Sequence, residues 1–205
     1  MDVFLVLLLV AVSLGGIVLA HRRVGGSVKR AFARTSPSTV ADAAPSAMCR
    51  LSGRAVAVGA VPVSEASGRS HVARELAIIP SSDGSDGTHR FEQAADFLLD
   101  DGTGVALVRG AGARVAAESD FKAPVTTLDK VPWVDKLLRA GGYHNGSPST
   151  CRIRLYEGVI EVGAQVGVLG RAEPPDAEAR ELGATLVISG TASDPLMIRA
   201  ETPAS

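Results

Sequence analysis

An apolar run near the N-terminus places the strongest constraint on this chain. The sequence "VFLVLLLVAVSLGGIVLA", Val3–Ala20, has 18 residues and no charged side chain. At the helical rise of 1.5 Å per residue the run is roughly 27 Å long, close to the hydrocarbon thickness of a bilayer. Residues 1–20 are therefore predicted to form a transmembrane anchor, and the remaining residues must fold beside a membrane.

The charges on either side of the run indicate its orientation. Asp2 is the only charged residue before it, whereas five basic residues follow it: Arg22, Arg23, Lys29, Arg30 and Arg34. The positive-inside rule then predicts a single-pass cell-membrane protein with its N-terminus outside and its C-terminal domain in the cytoplasm. A secretory signal peptide cleaved before His21 is the alternative. The missing basic residue ahead of the run favours the uncleaved anchor.

Residues 21–48 have the composition of a connector. The basic residues come first and could also meet anionic headgroups, each contributing ~1 kcal/mol near a charged bilayer, or could serve only to set the topology. The stretch "RTSPSTVADAAPSAM" that follows is rich in Ser, Ala and Pro and has no apolar period. It predicts a flexible linker between the anchor and a folded domain.

The charge balance and the cysteines limit the classes of function. The chain has a formal net charge of −1, but the part through Arg34 carries +4, so the remainder carries −5. An acidic domain is a poor platform for a phosphate backbone, so nucleic acid is not an expected partner. Cys49 and Cys151 form no Cys-x-x-Cys pair, and are expected to be buried thiols or, in an oxidising compartment, one disulfide.

From Cys49 onward the sequence reads as short strands with one helix. The stretches "RLSGRAVAVGAV" and "HVARELAII" place apolar residues with period two, which is typical of strands. In "VPWVDKLLRAGG" a proline opens an apolar stripe that two glycines end, which predicts a helix from Pro132. The sequence therefore predicts a mainly β fold, a small OB-like barrel or sandwich over residues 49–200, followed by a tail at 201–205.

Two adjacent carboxylates lie in the stretch "FLLDDGTGVALV". A calcium loop would need oxygen ligands at alternate positions and a distal bidentate glutamate, but apolar residues follow instead. Asp-Gly between two strand-like runs predicts a hairpin turn. In "YEGVIEVG" we expect Glu157 to accept hydrogen bonds from turn amides. The residues assigned structural turn roles are Asp100, Asp101, Gly102, Gly104, Glu157 and Gly163.

Catalytic motifs are not apparent in the sequence. Cys49 or Cys151 could pair with His71 or His144 as thiol and imidazole, but a lone histidine in a polar loop is more often solvated. No Gly-x-Ser-x-Gly elbow is present. No catalytic, cofactor-binding or metal-binding residue is therefore predicted.

The order of the glycine-turned strand pairs resembles a known family. The motifs are "SGRA", then "DFLLDDGTGVALV", then "YEGVIEVGAQVGVLGRA", then "PLMIRAE". They are similar to those of the GIDE domain, which occurs in the mitochondrial E3 ubiquitin ligase MULAN and in prokaryotic membrane proteins. The resemblance covers roughly residues 49–200 and implies a β domain beside a transmembrane segment.

The resemblance also implies an activity that this sequence lacks residues to perform. A RING needs eight Cys/His zinc ligands, whereas this chain has two cysteines and four histidines. The leading hypothesis is thus a membrane-anchored β domain that acts as a scaffold or interaction module for a protein partner. One alternative is an E3 ubiquitin transferase-type protein that receives a RING in trans, and a weaker one is a barrel that binds oligosaccharide or nucleic acid.

Overall fold

The computed structural model describes residues 27–81, 87–142 and 147–201. The strands within these ranges are β1 (Met48–Ala57), β2 (Ala73–Ser81), β3 (His89–Ala94), β4 (Phe97–Asp100), β5 (Val105–Val108), β6 (Arg114–Ala116), β7 (Phe121–Lys122), β8 (Thr126–Thr127), β9 (Arg152–Ile160), β10 (Gln165–Glu173), β11 (Leu186–Ser189) and β12 (Met197–Ala200). The helical elements are α1 (residues 27–34), a 3-10 turn (Leu128–Lys130), α2 (Pro132–Ala140) and α3 (Ala177–Glu181).

Five strands close into a small barrel. The long strand β1 pairs with β10 along Met48–Arg54 and with β4 along Arg54–Ala57. From β4 the ring continues through β5 and β11 to β10, and only the β5–β11 pair is parallel. Strand β12 pairs with β10 outside this ring, and β6 then pairs in parallel with β12. The long strand β1 closes the barrel because it pairs with β10 and with β4.

Apolar side chains that alternate along the strands fill the barrel. Buried residues of this core include Leu51, Ala55, Phe97, Leu99, Val166, Val168, Ile188 and Ile198. Burying each of the larger ones stabilises the fold by ~1.5–3 kcal/mol. On the outside of β5 and β11, α3 packs over Leu107 and Val187. Its start is fixed because the Asp176 carboxylate accepts a hydrogen bond from Ala179 N at 2.8 Å.

A second sheet has its own core. Strands β3, β2 and β9 pair antiparallel, and β7 and β8 pair in turn with the other edge of β9. Helix α2 starts with a proline in its first turn and buries Val134 and Leu138, which are four residues apart. These two residues pack against Ile78, Ile153 and Leu155 of the sheet. One face of the second sheet is thereby covered by α2.

The structure confirms the mainly β prediction and the small barrel. The predicted helix is α2, whereas β6, β7 and β8 were not predicted as strands because each has only two or three residues. The anchor predicted at residues 1–20 lies outside the described residues. Among the residues that are described, no helix is both long enough and apolar enough to cross a bilayer.

The structure differs from the flexible linker predicted before β1. Val28 and Phe32 of α1 are buried, with exposed fractions of 1% and 0%, and pack against Leu169 of the barrel. Farther along, Ser38 N donates to the Arg50 carbonyl at 2.9 Å, and a second backbone bond of 2.8 Å joins Ser46 N to β10. Residues 27–47 are thus docked on the barrel by apolar burial and by backbone hydrogen bonds.

Candidate functional site

The acidic hairpin turn lies between β4 and β5 and contacts the docked N-terminal residues. The two strands pair from Phe97–Val108 to Asp100–Val105. Asp101 Oδ1 accepts hydrogen bonds from Thr103 N at 2.8 Å, from Thr103 Oγ1 at 2.7 Å and from Gly104 N at 3.1 Å. One carboxylate oxygen therefore closes the turn.

The other oxygen of Asp101 holds a distant part of the chain. Val40 N donates to Asp101 Oδ2 at 2.7 Å, and Ala41 N donates to Thr103 Oγ1 at 3.3 Å. The Val40 side chain is 4% exposed and belongs to the barrel core. We call this contact, formed by Asp101, Thr103 and Gly104 with Val40 and Ala41, the Asp101 clamp.

Glycine at position 104 allows the close approach within the clamp. A Cβ atom at Gly104 would lie 2.9 Å from Val40 Cγ1, which is shorter than a normal carbon–carbon contact. At Gly102 the requirement is different, because its φ of +81° is in the left-handed region that favours glycine. Glycine is thus required at position 104 by the close contact with Val40 and at position 102 by the backbone conformation.

The two adjacent acids have different surroundings. Partial burial alone would raise the pKa of Asp101, but the hydrogen bonds from Val40, Thr103 and Gly104 outweigh it and lower the pKa below its ordinary value. Asp100 is exposed, and its Oδ1 accepts a hydrogen bond from Gly102 N at 2.9 Å. The clamp therefore depends on Asp101, whereas Asp100 makes a local turn bond.

Glu157 lies within strand β9, so it is not the turn residue that the sequence predicted. Its side chain is 0% exposed, and Oε1 accepts a hydrogen bond from Ser64 Oγ at 2.6 Å. The Arg74 guanidinium is 3.6 Å from the same oxygen. Ser64 Oγ in turn accepts from Ala66 N at 3.0 Å, so the glutamate holds the loop before β2 against the second sheet. Gly163 does lie in the β9–β10 turn, with φ +88°.

The candidate thiol–imidazole residues are not brought together in the described structure. Cys49 and Cys151 are free and buried, and they belong to the separate cores of the barrel and of the second sheet. Burial raises the pKa of the Cys49 thiol and lowers that of the buried His71 imidazole. A protonated thiol with no bonded imidazole is a weak nucleophile. His144 lies outside the described residues.

The potential metal-binding side chains are dispersed in the described ranges. No three His, Cys, Asp or Glu side chains there are grouped closely enough to hold an ion. The Asp101 carboxylate instead accepts hydrogen bonds from the backbone N–H groups of Val40, Thr103 and Gly104 and from the Thr103 hydroxyl. These bonds fix residues 40–41 on the barrel. One feature of the sequence could have indicated this contact: Val40 is the only branched apolar residue in "RTSPSTVADAAPSAM".

Comparisons with known proteins give no further identification. No protein-family model, curated protein or solved structure matches this chain.

Proposed function

We propose that this protein is a membrane-anchored scaffold whose β domain is held at a fixed place beside the bilayer and offered to a protein partner. The observation that carries the proposal is the docking of residues 27–47 on the barrel through α1 and the Asp101 clamp. A domain whose connecting segment is docked from residue 27 onward is tied to the anchor by only six residues and has a short reach from it. A domain on a loose tether would sample many orientations.

The proposed anchor and the docked helix are close together in the chain. Six residues, 21–26, separate Ala20 from Ser27. Even when fully extended, the seven steps from Ala20 to Ser27 span at most roughly 25 Å. This short connection places the domain at the membrane surface, where tethering raises its effective concentration for a partner in the same membrane.

A small apolar surface is available for such a partner. Val56, Val63 and Val162 have exposed fractions of 39%, 58% and 41%. The turn that contains Val162 is bonded to β1 next to Val56, because Gly163 N donates to the Ala55 carbonyl at 2.7 Å. We call Val56 and Val162 the valine corner and propose that it contacts the partner, since exposed apolar groups are common in interaction sites.

We also propose that the β domain is an OB-like barrel of the GIDE type. The closed five-stranded ring is compatible with an OB-like barrel. Two of the four GIDE-like motifs, "DFLLDDGTGVALV" and "YEGVIEVGAQVGVLGRA", each span two successive strands, β4 and β5 in the first and β9 and β10 in the second. In OB-folds the oligonucleotide face lies on the second and third barrel strands. Here α3 and Leu182 pack beside Leu98 and Val105 of the corresponding β4 and β5. That packing favours the scaffold over the nucleic-acid alternative, and no described feature favours the E3-type alternative.

The experiment uses the full-length chain in native membranes. After alkaline carbonate washing, the protein should stay in the membrane pellet, and deletion of residues 3–20 should release it. A Val56→Glu/Val162→Glu variant should remain anchored but lose the partner recovered by in-membrane crosslinking. Arg180→Glu on α3 is the matched surface control and should keep that partner. Release of the intact chain by carbonate, or a partner retained by the valine variant, contradicts the proposal.

A further inference from the structure

The second sheet has an outer face that carries positive charge. Residues alternate along β9, so Ile153 and Leu155 face α2 while Arg152 and Arg154 lie on the opposite face. The backbone at Glu118 covers part of that face, since a Cβ at Gly158 would lie 2.4 Å from the Glu118 carbonyl oxygen. Arg152 and Arg154, nearer the start of β9 than Gly158, are exposed.

A third cation lies beside these arginines. Lys122 of β7 pairs with Tyr156 of β9, and its Nζ is 5.7 Å from the centroid of the Tyr156 ring. We call Lys122, Arg152, Arg154 and Tyr156 the basic face. In the described part of the chain, none of its three cations forms an ion pair with a carboxylate. Arg152 pairs with Ser81, the last described residue of β2, whereas Lys122 and Arg154 lie within the described part of the sheet.

The basic face lies on the side of the molecule from which the chain leads to the proposed anchor. The segment after β6 lies between the two: Ala116 packs against α1, while Glu118 lies over Gly158 of the second sheet. Ser27, at the start of α1, and Arg114 of β6 line one open cleft of about 610 Å³. Arg114 in turn reaches β3, where its Nε is 3.3 Å from Glu92.

Helix α1 adds to the charge on this side. Its buried residues are Val28 and Phe32, so Lys29, Arg30 and Arg34 are on the exposed side. This separation is what an amphipathic helix shows when it packs on a protein and presents its charged stripe outward. The exposed cations of α1 and the sheet that carries the basic face are thus linked through the segment after β6.

We propose that the basic face binds the anionic headgroups of the bilayer that holds the N-terminal anchor, together with the exposed cations of α1. The inference rests on the proposed function, because the anchor would keep Ser27 of the docked helix within roughly 25 Å of residue 20. The rest of the domain is acidic and is repelled by an anionic surface. Attraction at one face and repulsion elsewhere therefore fix the orientation of the domain.

Fluorescence energy transfer tests the proposal with the full-length chain in nanodiscs. A donor dye is attached at Val125→Cys, an exposed position between β7 and β8, and the acceptor is on the lipid headgroups. The native cysteines are buried and do not compete for the dye. Transfer should be higher with phosphatidylserine than with phosphatidylcholine alone, and 0.5 M salt should reduce it because salt screens charge.

The variant Lys122→Gln/Arg154→Gln should lower the ratio of bound to unbound domain about 25-fold, since each cation near an anionic surface is worth about fivefold. Lys130→Gln/Lys136→Gln removes the same charge next to and on α2 and should have little effect. Equal transfer in both lipids, or equal losses in both variants, overturns the proposal. Binding of an acidic peptide to the basic face with no lipid dependence also overturns it. Failure of the chain to stay in neutral nanodiscs instead contradicts the anchor.

Discussion

Asp101 and Val40 are joined by a 2.7 Å hydrogen bond although they are 61 positions apart. The carboxylate accepts the Val40 N–H with one oxygen and closes the β4–β5 turn with the other. A hairpin turn is thereby coupled to the segment that leads to the N-terminus. Loss of this one side chain removes both the turn bonds and the docking bond.

Replacing Asp101 should loosen the attachment of Val40 and Ala41 to the barrel, whereas replacing Asp100 should not. Asp101→Ala removes charge-assisted bonds from three backbone N–H groups and should lower the free energy of unfolding by about 2 kcal/mol. Asp100→Ala removes one exposed bond and should cost less than about 1 kcal/mol. Urea unfolding measures both costs, and hydrogen exchange at Val40 measures release. Equal effects of the two variants would contradict the assignment of the clamp to Asp101.

Acid should weaken the clamp. The pKa of Asp101 is lowered in the folded protein, so the bound carboxylate stabilises docking above its ordinary pKa near 3.9 and loses this effect as pH falls through the lower folded value. A dye at Ala44→Cys should therefore rotate more freely as the pH drops below about 4. Asp101→Asn should abolish this pH dependence. Persistence of the same pH profile in Asp101→Asn would show that another group is responsible.

The contact between Gly104 and Val40 can be tested by a double-mutant cycle. Gly104→Ala places a methyl group against Val40 Cγ1 and should cost about 2 kcal/mol of unfolding free energy by overpacking. In a Val40→Ala background the same change should cost at least about 1 kcal/mol less, because the opposing methyl groups are gone. Thermal and urea unfolding of the four proteins give the coupling. Strict additivity would mean that the two residues do not meet.

The buried Glu157 should matter more to stability than the exposed Glu161 nearby. Glu157→Ala leaves the Ser64 hydroxyl without its acceptor, removes the carboxylate 3.6 Å from the Arg74 guanidinium, and should cost about 3 kcal/mol. Glu157→Gln keeps an oxygen for Ser64 and should cost less. Glu161→Ala is the control, because among the described residues Glu161 forms one ion pair, a 3.8 Å contact with Arg69 at the surface. Similar costs for Glu157→Ala and Glu161→Ala would argue against the buried network.

Period-two patterns predicted most of the barrel because their information is local. Phe97 and Leu99 alternate with less buried neighbours, and the Asp-Gly pair after them marks the turn. Helix α2 is equally local, since Pro132 and the two glycines bound its apolar stripe. These elements need no knowledge of the rest of the chain.

Contacts between distant residues could not be predicted in this way. A Ser/Ala/Pro-rich segment has the composition of a linker, and nothing near Val40 in sequence indicates that its N–H is bonded to Asp101. Glu157 was assigned to a turn because the sequence around it does not show that β9 continues to Ile160. That extension depends on pairing with β2, about 80 positions earlier. Short strands such as β7 exist only because β9 offers an edge.

The burial of both cysteines determines how the docking can be measured in the full-length chain. Cys49 and Cys151 are 5% and 0% exposed, so thiol reagents on the folded protein should react with introduced surface cysteines instead. Exposed positions on α1 and α3, Arg30→Cys and Arg180→Cys, accept a pair of spin labels without disturbing either core.

Pulsed electron resonance between these two labels tests the docked N-terminal segment most directly, in the full-length chain in nanodiscs. The structure predicts one narrow distance distribution, because Val28, Phe32 and the Asp101 clamp hold α1 and the following residues on the barrel. Adding Phe32→Ala, which removes the buried side chain of α1, should broaden that distribution. A broad distribution in the chain that retains Asp101, as expected for a flexible linker, would contradict the account.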